Sequence, residues 1–238
     1  MTESPSPRDP ARFFDRDMAA AYDQRNSGLK PISDCLHFLT GLVLTDLPDD
    51  ARLLCVGVGT AAEILSLAQD HPGWSFVGVD PSAEMLEVAR KRLEEAGLAN
   101  RCELVAGYVE DVPEQGFDAV TAMLVAHFIP LPDRPAFYSA IHQRLRPDGR
   151  FVSAEISCEL DAPDFAAMLQ DWGRVQARMG ATEASLASLP DMLRNVLSVV
   201  SPGRTADLWN DAGFTPPVEF FQAFMIRGWH AQKRATPS

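Results

Sequence analysis

The 238-residue chain has only four cysteines, Cys35, Cys55, Cys102 and Cys158, and no two stand close enough for C-x-x-C metal or redox chemistry. A chain of this length builds its core without disulfide staples, so free thiols in a reducing cytoplasm are expected. The five histidines are scattered, with no pair at metal-ligand spacing on a helix, and no metal is expected. Long apolar runs are also missing. The most apolar stretch, around 117–131, is interrupted and too short for the ~30 Å of a bilayer core, so no membrane span is expected. Residues 1–10 are polar and rich in Pro and Ser, without the apolar segment of a secretory signal. They read as part of a disordered lead-in over 1–12, and 233–238 read as a flexible tail. Positive charge is scarce: 21 Lys and Arg face 33 Asp and Glu, for a net charge of −12. The densest basic run, Arg90, Lys91 and Arg92, is followed at once by Glu94 and Glu95 and reads as a solvated helix face. An acidic chain without a basic patch repels phosphate backbones, so nucleic acid is not an expected partner. There is no internal repeat.

What is there is an ordinary globular composition, 46% hydrophobic and 23% charged, enough for one large domain over 13–232. Apolar runs alternate with helical stretches. Strands are expected at 52–56, 74–79, 102–106, 117–124 and 150–156. Helices are expected at 63–69, 82–96 and 135–145. Ser82 is placed to cap the second of these and Gly97 to stop it, with Met85, Leu86, Ala89 and Leu93 on one face. This alternation implies a parallel sheet with helices on both faces. The rhythm breaks at 161–200, which reads as two or three helices without a strand. A helix at 205–212, closed by Gly213, leads to strands at 218–222 and 224–231. So short a connection makes that last pair antiparallel and adds a reversed strand at the sheet edge.

The chemistry lies in Leu53-Leu-Cys-Val-Gly57-Val-Gly59-Thr-Ala61. Two glycines between strand and helix allow a tight turn and close approach of a ligand to the main chain. Asp80 ends the following strand about twenty residues on, where a carboxylate accepts hydrogen bonds from both ribose hydroxyls. An α/β domain with incidental turn glycines is the plain alternative. The ligand suggested is adenosine-bearing, either a dinucleotide or S-adenosyl-L-methionine.

The chain resembles the class I S-adenosylmethionine-dependent methyltransferases in Phe117-Asp118-Ala-Val120, in Leu145-Arg-Pro147-Asp-Gly149 and in its antiparallel ending. The resemblance runs from about residue 13 to 233. It implies a Rossmann-like α/β fold with a seven-stranded class I methyltransferase sheet, an antiparallel edge strand and a helical lid inserted at about 160–200. A closer pattern is visible in Phe14-Asp15, Gln24-Arg25, Met192-Leu-Arg-Asn195-Val196, Ala212-Gly-Phe214 and Phe221-Gln-Ala-Phe224. These are similar to carboxy-S-adenosylmethionine synthase, which makes a carboxylated cofactor from prephenate. In that family an arginine before the Met-Leu phrase grips the added carboxylate. Here Pro190 and Leu189 stand there, and Arg194 lies on a different helical face. Three further positions depart from the wider family. Cys55 stands where an acid usually helps hold the methionine ammonium, Ala61 replaces the third glycine, and Tyr108 replaces the acid that accepts from the adenine amino group, with Glu110 and Asp111 nearby.

The resemblance implies cofactor contacts from Tyr22 and Arg25 in a segment folding over the ligand, and from Gly57, Val58, Gly59 and Thr60. It also implies contacts from Asp80, Pro81 and Met85, from Tyr108 and Val109, and from Met123. Methyl transfer from a sulfonium needs alignment and exclusion of water, and needs a base only when the nucleophile carries a proton. His127, after the fourth strand, is the candidate base; a hydrogen-bonded structural histidine is the alternative. The Met- and aromatic-rich stretch from Phe165 to Met192 is expected to form a lid or a homodimer contact, with Gln222, Phe224 and Trp229 lining the same cavity; ordinary core packing within the insertion is the alternative. The expected function is methyl transfer to a small or medium-sized organic acceptor. The alternatives are a cofactor-modifying enzyme like carboxy-S-adenosylmethionine synthase and a non-catalytic S-adenosylmethionine-binding protein.

Overall fold

The computed structural model describes Tyr22, Gln24 and residues 26–234. The lead-in over 1–12, Phe14, Asp15, Arg25 and the last four residues of the expected tail lie outside the described residues. Lys233 and Arg234 do not belong to a tail. Their N–H groups donate to the carbonyls of Gly149 at 2.9 Å and Gly213 at 3.1 Å, and Lys233 bridges to Phe214.

Each apolar run of the chain becomes a strand: β1 (Arg52–Val56), β2 (Ser75–Asp80), β3 (Cys102–Ala106), β4 (Phe117–Met123) and β5 (Leu145–Ile156). Two C-terminal strands, β6 (Val218–Ala223) and β7 (Ile226–Gln232), complete one seven-stranded sheet in the order β3-β2-β1-β4-β5-β7-β6. The first five strands pair in parallel, while β7 runs antiparallel to both β5 and β6. The reversed hairpin therefore forms that side of the sheet, with β7 inside and β6 outermost. β5 starts earlier than its apolar run because Leu145 already pairs with Phe117. The chain then loops out through Asp148, at φ 59°, and resumes pairing at Arg150.

The helices are α1 (Lys30–Val43), α2 (Ala62–Asp70), α3 (Ala83–Glu95), α4 (Arg134–Arg144), α5 (Phe165–Arg178), α6 (Glu183–Ala187), α7 (Leu189–Asp191), a π-helical turn (Met192–Val196) and α8 (Pro202–Asp211). Ser82 caps α3 as expected, its Oγ accepting from the Met85 N–H at 3.1 Å, and Gly97 follows the helix at φ 71°. Alternate residues of each strand face opposite layers. Leu54, Val56, Val120 and Phe151 pack on Tyr138 and Ile141 of α4 and Leu208 and Trp209 of α8. Leu53, Cys55, Phe76 and Ala119 pack on Ile64 and Leu67 of α2 and Leu86 and Leu93 of α3.

The helical insertion expected at about 160–200 is present, and it packs in the way its core-packing alternative describes. Trp172, Leu189 and Leu193 join Leu36 of α1, Met225 and Ile226 in a third core cluster. The segment thus backs α1 and the β6–β7 turn. Its far end is pinned, since the Ser198 N–H donates to the His127 carbonyl at 2.8 Å and Ser157 Oγ donates to the Val200 carbonyl at 2.8 Å.

Candidate functional site

A cleft of about 800 Å³ opens at the carboxyl ends of β1, β2 and β4, where ligands of open parallel sheets bind. Its floor is the turn after β1. The N–H groups of Gly57 and Val58 donate to the Val79 carbonyl at 2.8 and 3.1 Å, locking the turn to β2. Gly57 and Gly59 adopt φ 64° and 53°, which glycine takes without cost. A Cβ on Gly57 would also collide with Val125, so the close approach of that wall needs glycine for a second reason. Ala61 takes the same left-handed region at φ 62° while fully buried, so alanine carries there the strain that the family's third glycine avoids.

Asp80 organises the loop. Its Oδ2 accepts from the Gly59 N–H and its Oδ1 from the Ser82 N–H, both at 2.9 Å. Burial pushes this carboxyl up, since only 7% of the residue is exposed, and the two backbone donors pull it back. Each oxygen keeps a lone pair, so a vicinal diol can still bind. The Tyr108 N–H donates to Asp111 Oδ2 at 2.8 Å, which turns that carboxylate away, while Glu110 and the half-exposed Tyr108 line the cleft. Of the two acids near Tyr108, Glu110 is therefore the one that faces the ligand space.

Tyr22, Gly57, Gly59, Asp80, Pro81, Met85, Tyr108, Val109 and Met123 all line this cleft. Val58 and Thr60 line a second cavity of about 580 Å³ that meets the cleft at Tyr22, Gly57, Gly59, Met123 and Leu124. Arg25 lies outside the described residues.

Four other expectations are corrected. His127 does not line the cleft: it is 3% exposed, and its Nδ1 accepts from the Ile156 N–H at 3.3 Å. Burial, with the Arg134 guanidinium beside it, lowers its pKa to about 3, which together with its place away from the cleft fits the alternative of a hydrogen-bonded structural histidine. Trp229 is buried in the core, Gln222 donates to the Phe224 carbonyl, and Phe224 sits exposed in the hairpin turn at φ 54°. None of those three lines either cavity, and neither does any residue of the helical insertion. Arg194 is turned elsewhere, donating to Asp161 Oδ1 at 3.0 Å and to the Leu160 carbonyl at 2.6 Å.

Several lining residues were missed from sequence. After β4, Leu124 takes a left-handed φ of 60°, rare for a bulky side chain, and faces both cavities. Val125, Phe128, Ile129, Pro130 and Phe137 form the apolar wall, with Asp133 beside it. The position of the 125–130 run at the carboxyl end of β4 was the available signal. Asp118, quoted in the family phrase, ties the opposite edge together by accepting from the Arg52 N–H at 2.8 Å and Arg146 Nε at 2.7 Å.

Residues 53–149 match the family model described as a methyltransferase domain. The chain is 23% identical over 205 residues to the carboxy-S-adenosyl-L-methionine synthase of Campylobacter lari, covering 84% of this chain and 86% of that one. The same-named protein of Campylobacter fetus is 27% identical over 202 residues with the same coverage. Among solved structures, the mitomycin 7-O-methyltransferase MmcR superposes with a TM-score of 0.62 at 18% identity, over 85% of this chain and 54% of its own. PigF, solved with SAH, gives 0.57 at 18% identity, over 77% and 50%. This chain spans about half the length of those two solved chains. Residues 53–149 thus carry a methyltransferase domain, and the sheet order, glycine loop and solved neighbours give the chain the Rossmann-like fold of the class I S-adenosylmethionine-dependent methyltransferases. Within that class it is similar, over most of its length, to the carboxy-S-adenosylmethionine synthases.

Proposed function

We propose that the protein transfers a methyl group from S-adenosyl-L-methionine to a small or medium-sized organic acceptor. The observation that carries this is the convergence of Gly57, Gly59, Asp80 and Tyr108 on one cleft with an apolar wall. The glycine turn is a cradle that a Cβ would fill, and Asp80 has the acceptor capacity for a ribose. When bound, the cofactor supplies a methyl group activated on a sulfonium. The chain's residues then have three tasks. Asp80 and the loop N–H groups fix the adenosine end. Tyr108 and Glu110 offer acceptors beside it. Val125, Phe128, Ile129 and Phe137 exclude water, so a nucleophile is met without competing hydrolysis.

A second reading, synthesis of a carboxylated cofactor, is favoured by the similarity to the Campylobacter proteins. Against it, an added carboxylate in this pocket needs a cation; of the two arginines the sequence offers, Arg194 is held by Asp161 and Leu160, and Arg25 lies outside the described residues. Pro190 and the buried Leu189 offer no charge. Denaturing the purified protein and weighing the released nucleoside tests the choice. S-adenosylmethionine or S-adenosylhomocysteine is expected, with no consumption of prephenate. A species heavier by one carboxyl substituent would overturn the methyl-donor reading. S-adenosylhomocysteine formed only when an acceptor is added would separate an enzyme from a binding protein.

A further inference from the structure

Glu63 lies in the first turn of α2, directly behind the glycine loop, and is 7% exposed. A carboxylate so far from water needs donors or a cation. Among the described residues, no donor reaches its Oε1. Around it on the sheet stand Cys55 of β1 and Thr121 of β4, paired in register. Burial keeps the Cys55 thiol protonated, so it brings no compensating charge. Glu63 lines the second cavity, whose other charged or titratable groups among the described residues are already engaged or uncharged. Lys30 is ion-paired with Asp34 on α1, and Arg92 of α3 donates to the carbonyl and hydroxyl of Thr60. His37 of α1 is held towards its neutral form by burial. With no cation beside it among the described residues, Glu63 has its pKa pushed up by burial to about 7, the Thr121 hydroxyl pulling only partly the other way.

The absent partner must carry positive charge and N–H donors together. A sulfonium has the charge but no donor; an ammonium has both. The second cavity adjoins the cleft, the two sharing Tyr22, Gly57, Gly59, Met123 and Leu124 as lining. Gly59 itself bridges the two, with its N–H on Asp80 and Glu63 four residues on. A ligand held at Asp80 therefore lies beside a cavity that the Glu63 side chain also lines. Resting on the reading that this cleft takes S-adenosylmethionine, we propose that Glu63 binds the ammonium of the ligand's amino-acid end. The acid comes from the helix turn behind the loop, not from β1, where Cys55 stands.

Calorimetry with two ligands tests this. S-adenosylhomocysteine carries the amino-acid end; 5′-methylthioadenosine lacks it. Glu63→Gln keeps shape and removes charge, and is expected to weaken S-adenosylhomocysteine about ten- to a hundredfold. Methylthioadenosine should change by no more than about twofold. Equal loss for both ligands, or an S-adenosylhomocysteine affinity within about threefold of wild type, overturns the proposal. Wild-type protein that binds neither ligand overturns the cofactor reading itself, and this inference with it. A second measurement needs no variant. At pH 7 about half of the Glu63 carboxyls are protonated, and pairing with an ammonium expels that proton. Titration in buffers of different ionisation enthalpy should show release of about half a proton with S-adenosylhomocysteine and none with methylthioadenosine. The same proton count for both would refute the pairing.

Discussion

Replacing Asp80 by asparagine separates what this residue does for the ligand from what it does for the loop. The carboxylate spends one lone pair on the Gly59 N–H and one on the Ser82 N–H, and both bonds exist without ligand. Asparagine keeps one oxygen but turns an NH₂ on the other donor. That leaves one backbone N–H unsatisfied, at about 1–3 kcal/mol. Burial opposes this loss, because it disfavours the charged form and removing the charge recovers part of that cost. The fold should therefore lose little, a few degrees of Tm at about 2–4 °C per kcal/mol. Binding has no such compensation. Two hydrogen bonds to a carboxylate become at best one neutral one, a loss of about 2–4 kcal/mol, or roughly 30- to 1000-fold in Kd. Calorimetry with S-adenosylmethionine, alongside a thermal melt, reads both quantities. An affinity within about threefold of wild type, with the melt intact, would refute the assignment. So would wild-type protein that binds NADH as tightly as S-adenosylmethionine.

Removing the His127 imidazole by His127→Gln should cost stability but leave the pH dependence of turnover unchanged; a lost limb in the pH–rate profile would restore it as a base. The folded protein refuses a proton on His127 down to about pH 3, while the unfolded chain accepts one below about pH 6.5. This residue's contribution to stability is therefore full above pH 6.5 and falls by about 1.4 kcal/mol per unit as pH drops towards 3, which acid melts of wild type and variant would register. Cys55→Asp should weaken the protein at neutral pH rather than improve it, because a second buried carboxylate would face Glu63; a higher Tm would show that the two do not interact. Gly57→Ala should abolish S-adenosylmethionine binding, since both the left-handed φ and the Val125 contact oppose a Cβ; calorimetry showing normal binding would refute the cradle.

Much of the sheet was legible because a buried parallel strand announces itself as a short apolar run ended by glycine or a charge. The cap at Ser82, the stop at Gly97 and the loop with Asp80 are local chemistry, readable in place. α1 was not legible, for identifiable reasons. Leu29 precedes it without a side-chain cap, and its buried face is only Leu36, Thr40 and Gly41. Phe38 and Leu42 are apolar but exposed, so no single stripe stands out along the helix. The insertion misled in the opposite way. Its methionines and aromatics suit a lid, but composition does not say which neighbour they meet, and here they meet Leu36, Met225 and Ile226. His127 stood at the right edge of the sheet, and only the direction of its ring, under the Ile156 N–H, removes it from the site.

Glu63 shows where reading residues one at a time stops. An acid in the first turn of a helix is ordinarily read as a partner for the helix dipole at the surface. In the fold, Glu63 instead shares a face with the buried Leu67 one turn on. The missing acid at Cys55 and the inward acid at Glu63 are eight residues apart in sequence, but α2 folds back over β1 and brings them together. If an acid is needed near the glycine loop, strand and helix are alternative places to mount it. Two carboxylates there would repel each other in a poorly solvated pocket, whereas one carboxylate beside a neutral thiol awaits a cation. The departure at Cys55, taken alone, reads as a weakened site. Taken with Glu63, it is the condition under which a buried acid on the helix can stand without a cation until a ligand supplies the charge.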